Sequence, residues 1–302
     1  MTDDRYYHVD GELVPAEEAT VSVDDRGFRY GDGAFETLRV YGGTIFGWDA
    51  HVERLAATCE ALALEHGLAA ADLRARIDET LAANDLEDAY VRLSITRGVQ
   101  PGKLTPQSEV DPTVVIYVKP LPRGGLEGDS VWDEHATVRT VETRRIPDDA
   151  IPAAAKTHNY LNGILARMEL RAVGDGENEG EGEPAADEAL MCDLEGHVAE
   201  GATSNLFFVR DGVLHTPTTD GPVLPGITRA FVLESARADD IPVREGRYEP
   251  ADVTDADEAF LTNRTWEVRP IETLDGTEIG AGPVTKRLTQ LYDERVERAC
   301  YR

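Results

Sequence analysis

The stretch AAAKTHNYLNGILA, residues 153–166, holds one of only four lysines in a chain with 30 basic residues; the others are Lys103, Lys119 and Lys286. After Lys156, the apolar series Leu161, Ile164, Leu165, Met168 and Val173 predicts a helix beginning near Asn159, with Thr157 or Asn159 as its cap. A cation at a helix start opposes the helix dipole, so a purely structural role would favour an acid there. Further on, LPGITRAFVLE turns into a helix whose first residues are Ile227 and Thr228. Free main-chain N–H groups at such a start, with a hydroxyl beside them, form a phosphate cradle that needs no lysine. Upstream, DAHVERL puts Arg54 on a helix, and a guanidinium suits bidentate phosphate contact. Taken singly, each of these residues has an ordinary reading: a solvated lysine, a helix-start hydroxyl, a surface arginine. Glu200 alone is a turn acid, and Tyr160 alone a core aromatic with a wet tip.

Positioning such groups takes strands as well as helices. Short apolar stretches alternate with turns from Val9 to Val23, and AFETLRVYGGTIFG reads as two strands joined by Gly42-Gly43. Asp49 then looks like the cap of a helix carrying Val52, Leu55, Ala56, Cys59 and Leu62, and a second helix follows from about Ala71 to Ala83. AYVRLSITRG and PTVVIYVKPL resume as buried strands. PLPRGGLEGD is the Pro/Gly-rich stretch near mid-chain, which predicts a first domain over 1–121, a linker over 122–129 and a second domain over 130–302. Residues 174–188 carry seven acids and no hydrophobe larger than alanine, which predicts a solvated insertion. Its opening mimics a calcium loop, but Ala186 stands where the closing glutamate belongs, so no metal is expected.

The chain has 302 residues and a formal charge of −28 from 58 acidic and 30 basic residues. That balance argues against nucleic acid or anionic lipid as a partner. Acid spread along the whole length, with arginine kept over lysine, predicts a surface working in strong salt, as in a halophile's cytosol. Cys59, Cys192 and Cys300 are widely spaced and read as reduced cytoplasmic thiols. The start, MTDDRYYHVDGE, lacks the basic and apolar regions of a signal peptide, and no apolar run approaches a spanning helix.

In order along the chain, DDRGFRYGDGAFETLRV, HVERL, AKTHNYLNGILA, EGATSNLFF, LPGITR and EVRPI together resemble the fold-type IV, or class IV, pyridoxal-5'-phosphate enzymes. That family holds branched-chain aminotransferases, D-amino acid aminotransferases and aminodeoxychorismate lyases. The resemblance implies an α+β fold with a small N-terminal α/β domain and a larger C-terminal domain around a β-barrel-like core. It also implies homodimers in which the neighbour contributes to the substrate pocket. Carried over, Lys156 would be the lysine that binds the coenzyme aldehyde and shuttles the substrate's Cα proton. A lysine acting as a base must pass through the neutral amine. Glu200 would pair with the pyridine nitrogen and Tyr160 with the ring's phenolic oxygen. Arg54, Ile227 and Thr228 would hold the phosphate, and Thr265 would join the cofactor set. The long interval from Lys156 to Glu200 is explained by the acidic insertion, which is cheap in closure entropy.

AYVR puts Tyr90 and Arg92, and FETLR puts Phe35 and Arg39, where the resemblance implies substrate contacts. The function it implies is transfer of an amino group between a branched-chain-like L-amino acid and 2-oxoglutarate by a ping-pong Schiff-base mechanism. LTNRTWEVRPI departs from the loop usual in branched-chain enzymes. There Trp266 would reshape the pocket or simply pack in the core, and Arg264 would add a charge for a second carboxylate. Thr37 resembles the threonine of the lyases that form 4-aminobenzoate and pyruvate, which keeps that activity as the alternative. Gly102 and Leu104 stand where D-amino acid enzymes carry an Arg and His pair. A non-enzymatic acidic adaptor with this fold and a dinucleotide loop at GDGAF are the weaker readings; the latter lacks a third glycine.

Overall fold

The computed structural model describes residues 5–123, 132–172 and 186–302. Most of the predicted linker, 124–129, and most of the acidic insertion, 174–185, therefore lie outside the described residues. The chain divides into two units. The first runs through Arg123, takes in Ala155–Asn159 and ends with Val296–Arg302; the second comprises the rest. Its break falls inside the 122–129 stretch, but the two later excursions into the first unit have no counterpart in the sequence reading.

The first unit opens with a hairpin of β1 (Tyr6–Val9) and β2 (Glu12–Pro15), followed by a short helix α1 (Arg26–Tyr30). Then come β3 (Gly33–Tyr41) and β4 (Thr44–Ile45), helices α2 (Trp48–Ala61) and α3 (Ala70–Ala83), and strands β5 (Ala89–Thr96) and β6 (Val114–Pro120). They form one sheet in the order β2-β1-β6-β5-β3-β4, antiparallel at every pairing. Gly42 and Gly43, at φ 51° and 74°, make the left-handed turn between β3 and β4, a conformation glycine adopts without steric cost. One sheet face is apolar: Ala34, Leu38 and Val40 of β3 and Val91, Leu93 and Ile95 of β5 pack with Leu55, Leu73, Ile77 and Leu81 of the two helices. Asp49 lies in the first turn of α2, and Gly47 rather than Asp49 occupies the cap position.

The second unit holds β7 (Ala136–Thr140), α4 (Leu161–Ala172), β8 (Glu188–Cys192), β9 (Val198–Gly201), β10 (Asn205–Arg210), β11 (Val213–Pro217) and α5 (Ile227–Ala238). It continues with β12 (Val243–Gly246), α6 (Pro250–Thr254), β13 (Glu258–Asn263), β14 (Glu267–Leu274), β15 (Thr277–Glu278) and α7 (Pro283–Val296). The sheet order is β12-β11-β10-β13-β14-β7-β8-β9, with β15 on β14. β9, at one end, comes back against β10 and β11 near the other, so the sheet is curled. Phe208, Leu261, Ile271 and Leu274 fill its core.

Helix α4, predicted to begin near Asn159, starts at Leu161 and faces its large apolar residues outward. Leu161, Ile164, Leu165 and Met168 are 58%, 53%, 45% and 58% exposed, while Ala166 and Leu170 are fully buried. The small residues are what let this helix approach the sheet: a Cβ on Gly163 would lie 3.1 Å from the Ala202 carbonyl oxygen. The apolar rhythm located the helix, and the structure turns that row outward.

Candidate active site

Lys156 is placed by backbone pairing. The Phe35 N–H donates to the Lys156 carbonyl at 3.0 Å and the His158 N–H to the Gly33 carbonyl at 2.8 Å, so residues 156–158 run along the start of β3 as an added edge. The Lys156 N–H donates to Thr58 Oγ1 of α2 at 3.0 Å. Its ammonium lies 4.4 Å from the centre of the Phe35 ring, and the Arg92 guanidinium carbon lies 3.7 Å from that same centre. The antiparallel register sets Phe35 opposite Ser94, Thr37 opposite Arg92 and Arg39 opposite Tyr90. By strand alternation these side chains share the sheet face that the helices leave uncovered. One face thus collects Phe35, Thr37, Arg39, Tyr90, Arg92 and Lys119, whose ammonium is 5.0 Å from the Tyr90 ring. A face with cations and no acid among these positions suits a carboxylate-bearing substrate.

Arg39 is fully enclosed: one nitrogen donates to the Pro122 carbonyl at 3.0 Å, its plane covers Tyr41, and among the described residues Nε and Nη1 have no hydrogen-bond partner. His158, absent from the sequence reading, is a second such group, with Nε2 buried and unpartnered among the described residues. Burial, followed by the Arg92 charge, pushes its pKa down to about 4, so the ring is neutral at pH 7. Arg54 lies on the opposite, helix-covered side. Its Nε and Nη2 donate to the two oxygens of Glu36 at 2.8 and 2.6 Å, and His51 Nδ1 is 2.7 Å from the same carboxylate.

In the second unit, Glu200 is the penultimate residue of β9 and is held at both oxygens. Arg145 approaches Oε1 at 2.9 Å, while Oε2 accepts the Leu224 N–H at 3.0 Å and Asn205 Nδ2 at 3.2 Å. Arg145 is itself anchored to Asn162 Oδ1 of α4 at 3.1 Å, two residues past Tyr160. Asn205 Nδ2 also donates to the Leu224 carbonyl at 2.9 Å, tying Glu200 to the loop that leads into α5. That helix begins at Gly226 with no side-chain cap, and a Cβ there would come within 2.0 Å of Asn205 Oδ1. Ile227 and Thr228 are buried, and among the described residues Thr228 Oγ1 has no hydrogen-bond partner. An uncapped helix start with an orphan hydroxyl fits a phosphate group, and a carboxylate braced by an arginine fits a protonated ring nitrogen. Arg145, Asn205 and the Leu224 N–H were missed because a single sequence carries no sign that they converge on Glu200.

The Asn263 side chain accepts from the Thr265 N–H, the Thr265 hydroxyl and the Trp266 N–H, a turn that separates its neighbours. Arg264 turns inward, 3.5 Å from the Tyr292 hydroxyl and beside Phe231. Trp266 goes the other way, packing on the core cluster of the curled sheet under Arg269. The structure does not bring these two side chains together.

Comparison with known proteins bears on the whole chain. The sequence model of a family described as amino-transferase class IV matches residues 33–274. A putative branched-chain-amino-acid aminotransferase of Methanocaldococcus jannaschii is 34% identical, covering 95% of each chain. A D-alanine aminotransferase of Listeria monocytogenes is 32% identical, covering 97% of this chain and 96% of its own. An aminodeoxychorismate lyase of Bacillus subtilis is 31% identical, covering 96% and 94%. Among solved structures, the branched-chain aminotransferase of the thermophilic archaeon Thermoproteus uzoniensis, determined with norvaline, superposes with a TM-score of 0.85 at 31% identity, covering 98% of this chain and 97% of that one. The lysine pinned along β3, the clamped Glu200 and the uncapped start of α5 lie within or on the stretch so matched, and this chain is an enzyme of the class IV aminotransferase family with the fold-type IV architecture.

Proposed function

We propose that this protein is a pyridoxal-phosphate-dependent aminotransferase that moves an amino group between a branched-chain-like L-amino acid and 2-oxoglutarate. The observation that carries the reading is Asn205, which in one contact set links the clamped Glu200 carboxylate to the uncapped helix start bearing the free Thr228 hydroxyl. Bound pyridoxal phosphate supplies an electron sink for the electrons left when the substrate Cα loses its proton. Ile227, Thr228 and Arg54 hold the phosphate, with Arg54 already oriented by Glu36. Glu200 accepts the ring N–H, and Arg145 fixes its carboxylate in place. Tyr160 hydrogen-bonds the ring oxygen. Lys156 Nζ would hold the aldehyde carbon until the substrate's amine displaces it and, released as a neutral amine, would take the Cα proton and return it. Arg92, Tyr90 and Phe35 orient the substrate carboxylate, and Thr265 completes the cofactor set. Thr37, directly across from Arg92, supports the second reading, a 4-amino-4-deoxychorismate lyase.

The test is the absorbance of the purified protein in molar potassium chloride, before and after L-leucine or L-glutamate without a keto acid. Conversion of the yellow cofactor band to that of the amine form supports transamination. A yellow protein that neither donor discharges sinks it in favour of the lyase, and a colourless one that takes up no cofactor sinks both. Arg145→Gln tests the clamp: it should keep the fold and lower kcat by roughly 10- to 100-fold, with a far smaller change in KM. Stopped-flow absorbance with the donor alone reads the step; an unchanged rate removes Arg145 from it.

We also read the protein as a homodimer of a high-salt cytoplasm. Among the described residues no helix is long and apolar enough to cross a membrane. With a formal charge of −28 per chain, two copies repel unless they meet through apolar surface. The exposed row Leu161, Ile164, Leu165 and Met168 supplies such a surface. A Leu165→Glu/Met168→Glu chain should sediment at half the mass of the parent; an unchanged mass rejects this face as the contact.

A further inference from the structure

A cleft of about 350 Å³ opens in the first unit, lined by none of the residues assigned above. Its walls come from the β1–β2 turn, the loop between α2 and α3, the helix α3 itself and the chain leading into β6. Arg76 of α3 lines it half-buried, yet among the described residues its guanidinium has no hydrogen bond or ion pair, although Asp10 and Asp111 line the same cleft. Opposite charges that share a cavity and stay more than 4.0 Å apart leave room for a molecule between them. Asp10 uses one oxygen to accept the Val114 N–H at 2.7 Å. Burial, and then the Asp25 and Asp111 charges, hold its carboxyl above the usual range, so a cation placed here would be stabilised. His66 Nδ1 accepts the Leu68 N–H at 3.1 Å, which puts the proton of the neutral ring on Nε2 and makes it a donor. Leu68, Val99 and Val114 supply an apolar wall.

We propose that this cleft binds a small zwitterion of the α-amino acid class without converting it, its ammonium at Asp10 and Asp111 and its carboxylate at Arg76 and His66. A simple cation entering the cleft meets Arg76, and a simple anion meets two carboxylates. One molecule carrying both charges satisfies both ends, and the volume, at the low end for ligand pockets, suits a molecule of that size. An enzyme of this family would gain from such a site a second response to amino acid concentration, separate from turnover.

The probe is 2-aminoisobutyrate, a zwitterion with no Cα hydrogen to lose, titrated into the holoenzyme in molar potassium chloride by calorimetry. Isobutylamine and isobutyrate serve as the amine-only and acid-only controls. The expected result is a binding event that weakens by at least about tenfold in Arg76→Gln and again in Asp111→Asn, each removing one charged contact. Both variants should keep parental turnover, which separates this site from the Lys156 chemistry. Equal binding by parent and both variants, equal binding of the single-charge controls, or no binding by the parent each overturns the proposal.

Discussion

The Lys156→Ala chain should unfold at the same temperature as the parent and turn over at least about 10³-fold more slowly, since proton transfer by a positioned group alone contributes up to about 10⁴-fold. The two expectations have separate causes. Lys156 is held by its main chain, through the N–H to Thr58 Oγ1 and the carbonyl from the Phe35 N–H, and alanine keeps both. The side chain makes its close approach over Phe35, which is packing that costs little to lose from a half-buried position. Steady-state assay with calorimetric unfolding checks both arms. Turnover near that of the parent would strip Lys156 of its role, and a collapse in stability would make the loss of activity uninformative.

Glu36→Gln should have the largest effect on stability. Glu36 is 1% exposed and is the meeting point of Arg54 and His51. Burial raises its pKa and the Arg54 and His51 contacts lower it; the contacts prevail, and the carboxyl falls to about 2. Removing the charge takes the Glu36 carboxylate from the part-buried Arg54 guanidinium and from His51, and breaking a buried pair typically costs about 3–5 kcal/mol. The same pair sets an acid limit. A carboxylate whose folded pKa is depressed stabilises the fold above its unfolded pKa, near 4.5, and that contribution is lost as pH falls toward about 2. Parent stability measured by urea unfolding should therefore drop between those values, and the variant should show less of that drop. A variant as stable as the parent at pH 7 would show that the Arg54 charge finds solvent or another partner. Because Arg54 is also the proposed phosphate arginine, cofactor affinity should fall with stability.

Much of the fold was legible because its signals are local. The Gly42-Gly43 turn adopts the left-handed angles that its composition predicts, and the strands that flank it form. The helix read from 71–83 runs from Ala70 to Ala83, and the one opening on Ile227 and Thr228 starts there. Of the stretch from Val9 to Val23, read as short apolar segments between turns, the part after Pro15 forms no strand, and among the described residues the next bridge is the single one from Asp25 to Val99. Lys156 was read as the mouth of a helix, and the helix begins at Leu161 with the lysine in an extended segment. What overrode the local reading was the unpaired outer edge of β3, whose N–H and C=O groups must be satisfied when buried.

The sequence by itself determined the residue types, their order and the family, since ordered motifs along one chain need no coordinates to be compared. Only the tertiary structure decided which groups each residue meets: that Arg54 is gripped by Glu36, that Arg145 and Asn205 converge on Glu200, and that Arg264 and Trp266 part company at the Asn263 turn. The Arg54–Glu36 contact joins residues 18 positions apart, and the Arg145–Glu200 contact joins residues farther apart still. Their formation depends on packing, which balances space, charge and hydrogen bonding over all neighbours at once, and no local pattern in the chain encodes that balance.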